Sequence, residues 1–328
     1  MFNLMTANPK KVILITGATG FIGKYIVEHA LRNNYEVYIA LRKTSNTSRI
    51  NHLTFNKIIV DFSSEETINK SFPNTVFFDA VIHNAGATSC FLKEDYFKHN
   101  VTLTKNLCAV LEKRKLLKGK FIYTSSLAAL GPGTNNLEED ITEVKQPNPI
   151  SSYGSSKLLA EKEVIKSGIN YTILRPTAVF GEGTLDYKDL ITVVKKGFAI
   201  YTASPKQQLS FIHADDIAKA VFLALNSPDK NQIFNLSDGE SYTLASVYQT
   251  VASSLNKKIR FKFRIPLFMV FGVAQLNYYL EKFFKMKNAL NSIEKANEVT
   301  ALNWKCSAQK VKTELNFKAS HSLKEIIQ

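Results

Sequence analysis

A glycine-rich turn near the N-terminus constrains this chain more than any other feature. The turn, Gly17-Ala-Thr-Gly-Phe-Ile-Gly23, lies between an apolar segment at residues 11–16 and a helical pattern at residues 22–33. Gly17 allows a sharp turn, Gly20 lets backbone approach a pyrophosphate, and Gly23 lets the helix pack tightly on a sheet. Unpaired N–H groups at the start of such a helix attract anions. The strand–turn–helix order therefore predicts a dinucleotide site.

Residues 11–180 alternate short β-branched runs with helical stretches. This alternation is typical of an α/β fold with a doubly wound parallel sheet, the Rossmann arrangement. We expect further strands at residues 37–41, 57–61, 80–84, 120–125 and 170–174. We expect helices at residues 95–115 and 153–167.

The pattern loosens beyond residue 180. Short strands are expected at residues 209–213 and 233–236, a helix at 214–226, and a basic, mainly helical segment at 241–328. We therefore expect two packed domains. The NADP-binding domain comprises residues 1–180, with 209–240 returning to it, and a smaller, mainly helical substrate domain comprises 181–208 and 241–328.

The end of the second strand indicates which dinucleotide is bound. NAD sites usually place an acidic residue there to accept hydrogen bonds from the ribose hydroxyls. This strand ends Ala40-Leu41-Arg42-Lys43, and an arginine can pair with a 2′-phosphate and stack on adenine. Arg42 thus favours NADP(H), with NAD as the alternative. Asp61, followed by Phe62, is expected to accept a hydrogen bond from the adenine amino group.

Tyr153 and Lys157 are spaced by one helical turn and so share a helix face. A nearby cation favours the ionised phenol and lowers its pKa, which suits proton transfer near neutral pH. Ser126 ends a predicted strand at the edge where an open sheet binds ligands, and its hydroxyl can hold a reacting oxygen. These three residues predict a catalytic group.

These motifs together resemble the extended short-chain dehydrogenase/reductases of the NAD-dependent epimerase/dehydratase superfamily. The segments that carry the resemblance are Gly17–Gly23, Asn84-Ala85-Gly86, Ser125-Ser126, Tyr153 with Lys157, Arg175-Pro-Thr-Ala-Val-Phe-Gly181, Phe211-Ile-His-Ala-Asp-Asp216 and Ile233-Phe-Asn-Leu236. The likeness covers most of the chain.

The resemblance implies a role for each matching residue. Tyr153 is the acid/base, Lys157 also holds the nicotinamide ribose, Ser126 binds the substrate oxygen, and Asn100 is a water-holding fourth member. The implied cofactor-binding set is Gly17, Thr19, Gly20, Phe21, Ile22, Gly23, Arg42, Asp61, Phe62, Asn84, Ala85, Gly86, Thr124, Tyr153, Lys157, Pro176, Thr177 and Val179. It further implies a homodimer through the helices at residues 95–115 and 153–167.

The chemistries of this superfamily are not equally compatible with the sequence. Dehydratases resemble one another in an Asp-Glu pair soon after the catalytic hydroxyl, whereas Leu127-Ala-Ala129 follows Ser126 here. Nucleotide-sugar enzymes commonly have an arginine just before the Phe-Ile-His segment, but this chain has Leu209-Ser210, although Lys195, Lys196 or Lys206 could replace that cation.

The branch that remains resembles the 3β-hydroxysteroid dehydrogenases and dihydroflavonol reductases. We therefore expect hydride transfer to or from a carbonyl or secondary alcohol of a largely apolar molecule. A nucleotide-sugar epimerase with retained NAD and a non-catalytic NADP-binding sensor or scaffold are the alternatives.

Basic charge concentrates in the last quarter of the chain. The net charge is +14, and residues 241–328 carry 14 Lys/Arg against 5 Asp/Glu. Only seven of the 42 basic residues are Arg, which argues against sequence-specific nucleic-acid binding. The apolar residues within 261–284 have three alternative interpretations: the core of a small helical domain, the wall of a substrate pocket, or peripheral membrane contact through residues 260–285. The three cysteines are widely spaced, which predicts a cytoplasmic protein, with peripheral contact at the inner membrane face as the alternative. Because the sequence has no cluster of metal-ligand residues, we expect no bound metal.

Overall fold

A parallel sheet of seven strands organises the part of the chain that the computed structural model describes, residues 10–184, 187–284 and 293–325. The strands are β1 Val12–Thr16, β2 Glu36–Leu41, β3 Asn56–Ile59, β4 Phe78–His83, β5 Leu117–Thr124, β6 Tyr171–Pro176, β7 Ala178–Phe180, β8 Phe198–Tyr201, β9 Gln208–Leu209, β10 Phe211–His213, β11 Gln232–Leu236, β12 Tyr242–Thr243 and β13 Phe261–Arg264. The large sheet has the order β3-β2-β1-β4-β5-β6-β11, which confirms the predicted doubly wound α/β fold.

Helices cover both faces of this sheet. They are α1 Phe21–Arg32, α2 Glu65–Ser71, α3 Lys93–Tyr96, α4 Leu103–Lys113, α5 Ser152–Lys166, α6 Lys188–Lys195, α7 Ala214–Asn226, α8 Leu244–Ser254, α9 Leu267–Phe284, α10 Ile293–Thr300 and α11 Gln309–Glu314. Ile13 and Ile15 of β1 pack with α1 and α7, whereas Leu14 packs on the opposite side with α4 and α5. Such alternation places apolar residues on both faces, as a strand buried between two helical layers requires.

A separate hydrophobic cluster lies around α6 and α8. Its buried members include Phe180, Val194, Tyr201, Val247 and Val251. Three two-stranded sheets border this cluster: β7 with β10 in parallel, β9 with β12 antiparallel, and β8 with β13 in parallel. The predicted domain boundaries stay a prediction, but this region has a core of its own.

The structure corrects several element predictions. The single helix expected at residues 95–115 is divided into α3, a π-helical segment Phe97–Thr102, and α4. The strand expected at residues 209–213 is interrupted at Ser210, so β9 and β10 join different small sheets. The segment expected to be mainly helical also contains β12 and β13, since these strands pair with β9 and β8.

Much of the apolar stretch at residues 261–276 is exposed. Phe263, Leu267, Phe268 and Leu276 are exposed, so the core interpretation is wrong for these side chains. Along α9 the side chains are described only to residue 276, and residue 285 lies outside the described residues.

A buried ion pair joins helix α5 to strand β6. Arg175 Nε and Nη2 donate to the two carboxylate oxygens of Glu161 at 2.9 and 2.6 Å. Ser125, directly after β5, donates its hydroxyl to the same carboxylate. Because both charged side chains are at least 95% buried, each depends on the other for stabilisation.

We expect Glu161→Gln to lower the free energy of unfolding by about 3 kcal/mol or more, since it leaves the buried Arg175 guanidinium without a counter-charge. Urea unfolding of the variant and wild type measures this difference. Glu163→Gln, on the same helix and outside the pair, serves as the matched control. Equal unfolding midpoints for Glu161→Gln and wild type would contradict the role given to the pair.

Candidate active site

The glycine turn after β1 is pressed against the backbone that follows β4. Gly17 has φ +69°, and a Cβ there would lie 2.5 Å from the amide nitrogen of Ala85. A Cβ on Gly23 would lie 2.1 Å from the Gly17 carbonyl oxygen. Both positions therefore require glycine. Gly20 precedes α1 in an extended conformation without a side-chain cap, so the first N–H groups of α1 can receive an anion.

The predicted adenosine-binding residues lie together at the carboxyl edge of the sheet. Parallel pairing of Leu41 with Ile59 brings the ends of β2 and β3 side by side. Arg42 is exposed and donates its backbone N–H to Ser45 Oγ at 3.0 Å. Asp61 is exposed and accepts from the Ser63 N–H at 2.9 Å, which lowers the Asp61 pKa. Phe62 follows Asp61 and packs against the hydrophobic cluster on the α4 and α5 side of the sheet.

Arg49 is a basic residue near this edge that the sequence interpretation missed. It reaches the Gly183 carbonyl oxygen at 3.5 Å and lines a shallow cavity with Lys24, Phe21 and Glu182 near the start of α1. Its position seven residues from Arg42 in an irregular segment gave no periodic signal.

His83, at the end of β4, connects four elements through hydrogen bonds. Thr104 Oγ1 donates to the Asn100 carbonyl oxygen at 2.6 Å, so it accepts from His83 Nε2 at 2.8 Å. His83 Nδ1 then accepts from Thr16 Oγ1 at 2.7 Å, and Thr16 Oγ1 accepts from the Ala85 N–H at 3.1 Å. Burial, with a contribution from the charge of Lys157, lowers the His83 pKa to about 3. His83 is therefore a neutral structural residue.

Asn100 lies in the π-helical segment and holds the loop after β4. Its Oδ1 accepts from the Ala87 N–H at 2.7 Å, and its Nδ2 donates to the Ala87 carbonyl at 3.1 Å. Nδ2 also donates to Ser156 Oγ at 2.8 Å, which links the loop to α5. Asn100 thus positions the segment Asn84–Ala87, while its water-holding role stays a prediction.

Ser126 and Tyr153 meet at the carboxyl end of β5. Their side chains lie close enough for Ser126 to influence the Tyr153 pKa. Ser126 Oγ also accepts from the Ala128 N–H at 3.2 Å, which orients it at the start of a short 3₁₀ turn. Tyr153 stands in the first turn of α5, where Ser151 caps the helix by accepting from the Gly154 N–H. The two side chains predicted to bind one substrate oxygen are therefore brought together.

Lys157 is buried next to these residues. Its Nζ donates to the Thr124 carbonyl at 2.6 Å and lies 4.6 Å from the centroid of the Tyr123 ring. A Cβ on Gly86 would lie 3.6 Å from Lys157 Nζ and 2.9 Å from Asn100 Oδ1. Gly86 therefore lies within contact distance of both Asn100 and Lys157.

The expected lowering of the Tyr153 pKa is absent. Burial raises it to about 12, interaction with Ser126 partly opposes this rise, and the negative charge of Glu298 adds to it. Desolvation of the phenolate is the largest cause of the rise. The stronger consequence of burial is on the lysine: the Lys157 pKa falls to about 8, although the charge of Glu161 opposes this fall.

Two glutamates from α10 bind the start of α5, and no sequence motif predicted them. Glu298 accepts from the Ser151 hydroxyl at 2.6 Å. Glu294 accepts from both the backbone N–H and the hydroxyl of Ser152 at 2.8 Å. Negative charge at a helix N-terminus is stabilising, so α10 holds α5 beside Tyr153. A second tyrosine, Tyr96, lies near this point with its ring centroid 6.0 Å from that of Tyr153.

The remaining predicted residues line the same edge. Pro176 ends β6, Thr177 is buried, and Val179 lies in β7. The hydroxyl groups of Thr124 and Thr177 are buried without a hydrogen-bond partner among the described residues. These unpartnered buried hydroxyls, one of them on the residue that Lys157 binds, and the open start of α1 fit a bound dinucleotide. Within residues 10–184, 187–284 and 293–325, no three His, Cys, Asp or Glu side chains are grouped to hold a metal.

We expect the stability of the ligand-free protein to depend on pH through Lys157. The folded pKa of about 8 lies below the ordinary lysine value of 10.5, so between these values the unfolded chain binds more protons and stability rises with pH. From pH 7.5 to 9.5 this contribution is about 2 kcal/mol. Urea unfolding at both pH values should show this gain for wild type relative to Lys157→Met. An equal gain in Lys157→Met, and in Lys157→Gln as a second replacement, would contradict it.

Comparison with known proteins agrees with this geometry. Over 243 residues the chain is 26% identical to the sterol-4-alpha-carboxylate 3-dehydrogenase (decarboxylating) of Dictyostelium discoideum, covering 70% of this chain and 72% of the relative. Over 261 residues it is 28% identical to the UDP-glucose 4-epimerase of Vibrio cholerae, covering 75% and 76%. The crystal structure of Thermus thermophilus UDP-glucose 4-epimerase in complex with NAD superposes with a TM-score of 0.72 at 20% identity, covering 96% of each chain, and shows a shared fold.

Residues 13–237 match the model of the NAD dependent epimerase/dehydratase family. The matched span runs from β1 to β11, so it contains the glycine turn, the loop after β4 and the Ser126–Tyr153–Lys157 group. This chain is therefore a member of the NAD dependent epimerase/dehydratase family, whose members are NAD-dependent enzymes.

Proposed function

We propose that this protein is an NADP(H)-dependent oxidoreductase that interconverts a carbonyl and a secondary alcohol on a largely apolar small molecule. The observation that carries the proposal is the close approach of Ser126 and Tyr153 beside the buried Lys157, at the sheet edge next to the glycine turn. Acid/base, oxygen-binding and cationic groups at one sheet edge are what carbonyl reduction requires.

Each residue has a defined task in this mechanism. Bound NADP(H) supplies or accepts the hydride. Tyr153 gives its phenolic proton to the substrate oxygen during reduction and takes it back during oxidation. Ser126 donates a hydrogen bond to that oxygen and orients it. A protonated Lys157 stabilises the phenolate that forms when Tyr153 gives up its proton, which offsets the cost of burying that charge.

The preference for NADP(H) rests on the charge at the adenosine end of the site. No acidic residue follows β2, whereas Arg42 is exposed there and Arg49 lies near the start of α1. Guanidinium groups bind phosphate in a bidentate manner, so they favour a 2′-phosphate over a bare ribose.

The proposed substrate class rests on what surrounds Ser126. Leu127 and Ala129 are buried apolar residues, so no carboxylate is available there to drive an elimination. Leu209, which stands where the family's nucleotide-sugar enzymes commonly have an arginine, packs against the hydrophobic cluster around α6 and α8. A sterol, the substrate named for the Dictyostelium relative, is an apolar molecule of the kind that we propose.

One observation favours an epimerase as the second candidate. The Vibrio relative is a UDP-glucose 4-epimerase at 28% identity, and Lys195, Lys196 and Lys206 are exposed cations that could bind a diphosphate. An epimerase of this kind would retain NAD, so cofactor preference separates the two candidates.

Tyr153→Phe removes the proton donor and keeps the ring. We expect turnover with a ketone substrate to fall roughly 10²- to 10⁴-fold, with NADPH affinity unchanged. Tyr96→Phe is the matched control, because it removes a neighbouring phenol that is not bound to Ser126, and it should keep wild-type turnover. NADPH oxidation over a panel of ketones measures both. Undiminished turnover in Tyr153→Phe would overturn the mechanism.

Arg42→Ala tests the cofactor. We expect wild type to bind NADPH more tightly than NADH, and the variant to lose about tenfold or more in NADPH affinity without losing NADH affinity. Quenching of intrinsic fluorescence during separate titrations measures these constants, with Arg32→Ala at the far end of α1 as control. Equal or tighter binding of NADH by wild type would favour the epimerase with retained NAD.

A further inference from the structure

Exposed apolar side chains concentrate in one short segment. Of the fifteen large hydrophobic residues exposed in the described part of the chain, seven fall between residues 261 and 276. Phe268 is the most exposed of the seven at 77%, and the others are 47–59% exposed: Phe261, Phe263, Leu267, Met269, Val273 and Leu276. A cluster of this kind marks an interaction surface, since single exposed apolar residues are ordinary but contiguous ones are not.

Strand β13 arranges part of this cluster. Phe261 and Phe263 point to the same face and stack on Phe198 of β8, with ring centroids 5.5 and 6.0 Å from it. Side chains alternate along a strand, so Lys262 and Arg264 point the other way. Helix α9 begins three residues later and continues the apolar exposure through Phe268 and Val273. We call the stretch from residue 257 to residue 276 the basic apolar face.

The charge of this face has one sign. Its five exposed cations are Lys257, Lys258, Arg260, Lys262 and Arg264, and residues 257–276 contain no Asp or Glu. Two more exposed cations, Lys195 and Lys196, end α6 next to Gly197, whose carbonyl accepts from the Arg260 N–H at 2.8 Å. Across the described residues, none of these seven cations pairs with a carboxylate.

We propose that the basic apolar face binds the surface of an anionic phospholipid bilayer. Exposed aromatic and aliphatic side chains enter the boundary between headgroups and acyl chains, while the cations stay at the level of the phosphates. The one-sided charge complements an anionic surface, which a neutral apolar partner would not need. Contact is peripheral, because no helix among the described residues is long and apolar enough to cross a bilayer. The inference does not depend on the proposed reaction.

Sedimentation with lipid vesicles tests this proposal. We expect the full chain to sediment with phosphatidylcholine vesicles that contain about 30 mol% phosphatidylglycerol, and not with pure phosphatidylcholine. Binding should fall steeply between about 0.1 M and about 1 M NaCl, because salt screens the cations. The fraction of protein that sediments with the vesicles gives the partition coefficient.

Variants with matched controls identify the face. Phe268→Glu should lower the partition coefficient about tenfold or more, whereas Val144→Glu, at an even more exposed apolar site elsewhere, should not. The double replacement Lys257→Gln/Lys258→Gln should have a similar effect, with Lys230→Gln/Lys312→Gln as the charge-matched control. Tyr153→Phe should bind vesicles like wild type, which separates failure of this proposal from failure of the proposed reaction.

Several outcomes would overturn the proposal. They are no sedimentation with anionic vesicles, equal sedimentation with neutral ones, and full binding by Phe268→Glu. Light scattering of the same proteins adds a fourth: a dimer that dissociates on Phe268→Glu without any vesicle binding would assign the face to a second copy of this chain. NADPH binding by each variant verifies that it is folded.

Discussion

The contact between the turn after β1 and the loop after β4 determines the cofactor side of this molecule. Gly17 lies so close to the Asn84–Ala85 peptide that a Cβ at this position would be only 2.5 Å from the Ala85 amide nitrogen. The hydrogen bonds through His83 extend this contact inward, since they join β1, β4 and the π-helical segment around Asn100. Because His83 must donate on one side and accept on the other, only its neutral form satisfies the chain. A protonated ring would leave two donors facing Thr16 and Thr104.

The catalytic group depends on a second buried arrangement, in which cations outnumber anions. Lys157 and Arg175 flank the single carboxylate of Glu161, and α5 carries both Lys157 and Glu161. Desolvation lowers the Lys157 pKa, because no carboxylate among the described residues is hydrogen-bonded to its Nζ. An anionic ligand bound nearby would raise this pKa toward its ordinary value, so ligand binding and the charge of Lys157 are coupled.

Much of the fold and of the site was predictable from the sequence because short-range signals encode it. Glycine spacing, strand-sized apolar runs and the Tyr153–Lys157 spacing each act within a few residues, and the structure places these groups at one edge. The π-helical segment was not predictable, since it arises from the Asn100 side chain binding a loop thirteen residues earlier and Ser156 on another helix. The glutamates of α10 likewise act on Ser151 and Ser152 from more than 140 residues away. For the stretch after residue 260, hydrophobicity alone could not distinguish a core from an exposed face.

The distance in sequence between α10 and α5 has a consequence for how the protein assembles. Closing a loop of more than 140 residues is entropically costly, and such contacts form late on folding. The βαβ units that hold the glycine turn are local by comparison and can form first. A nascent or refolding chain is then expected to acquire a dinucleotide-binding surface before the helix that bears Tyr153 is held at its N-terminus. Affinity for the cofactor and capacity for turnover are thereby separated in time during biogenesis.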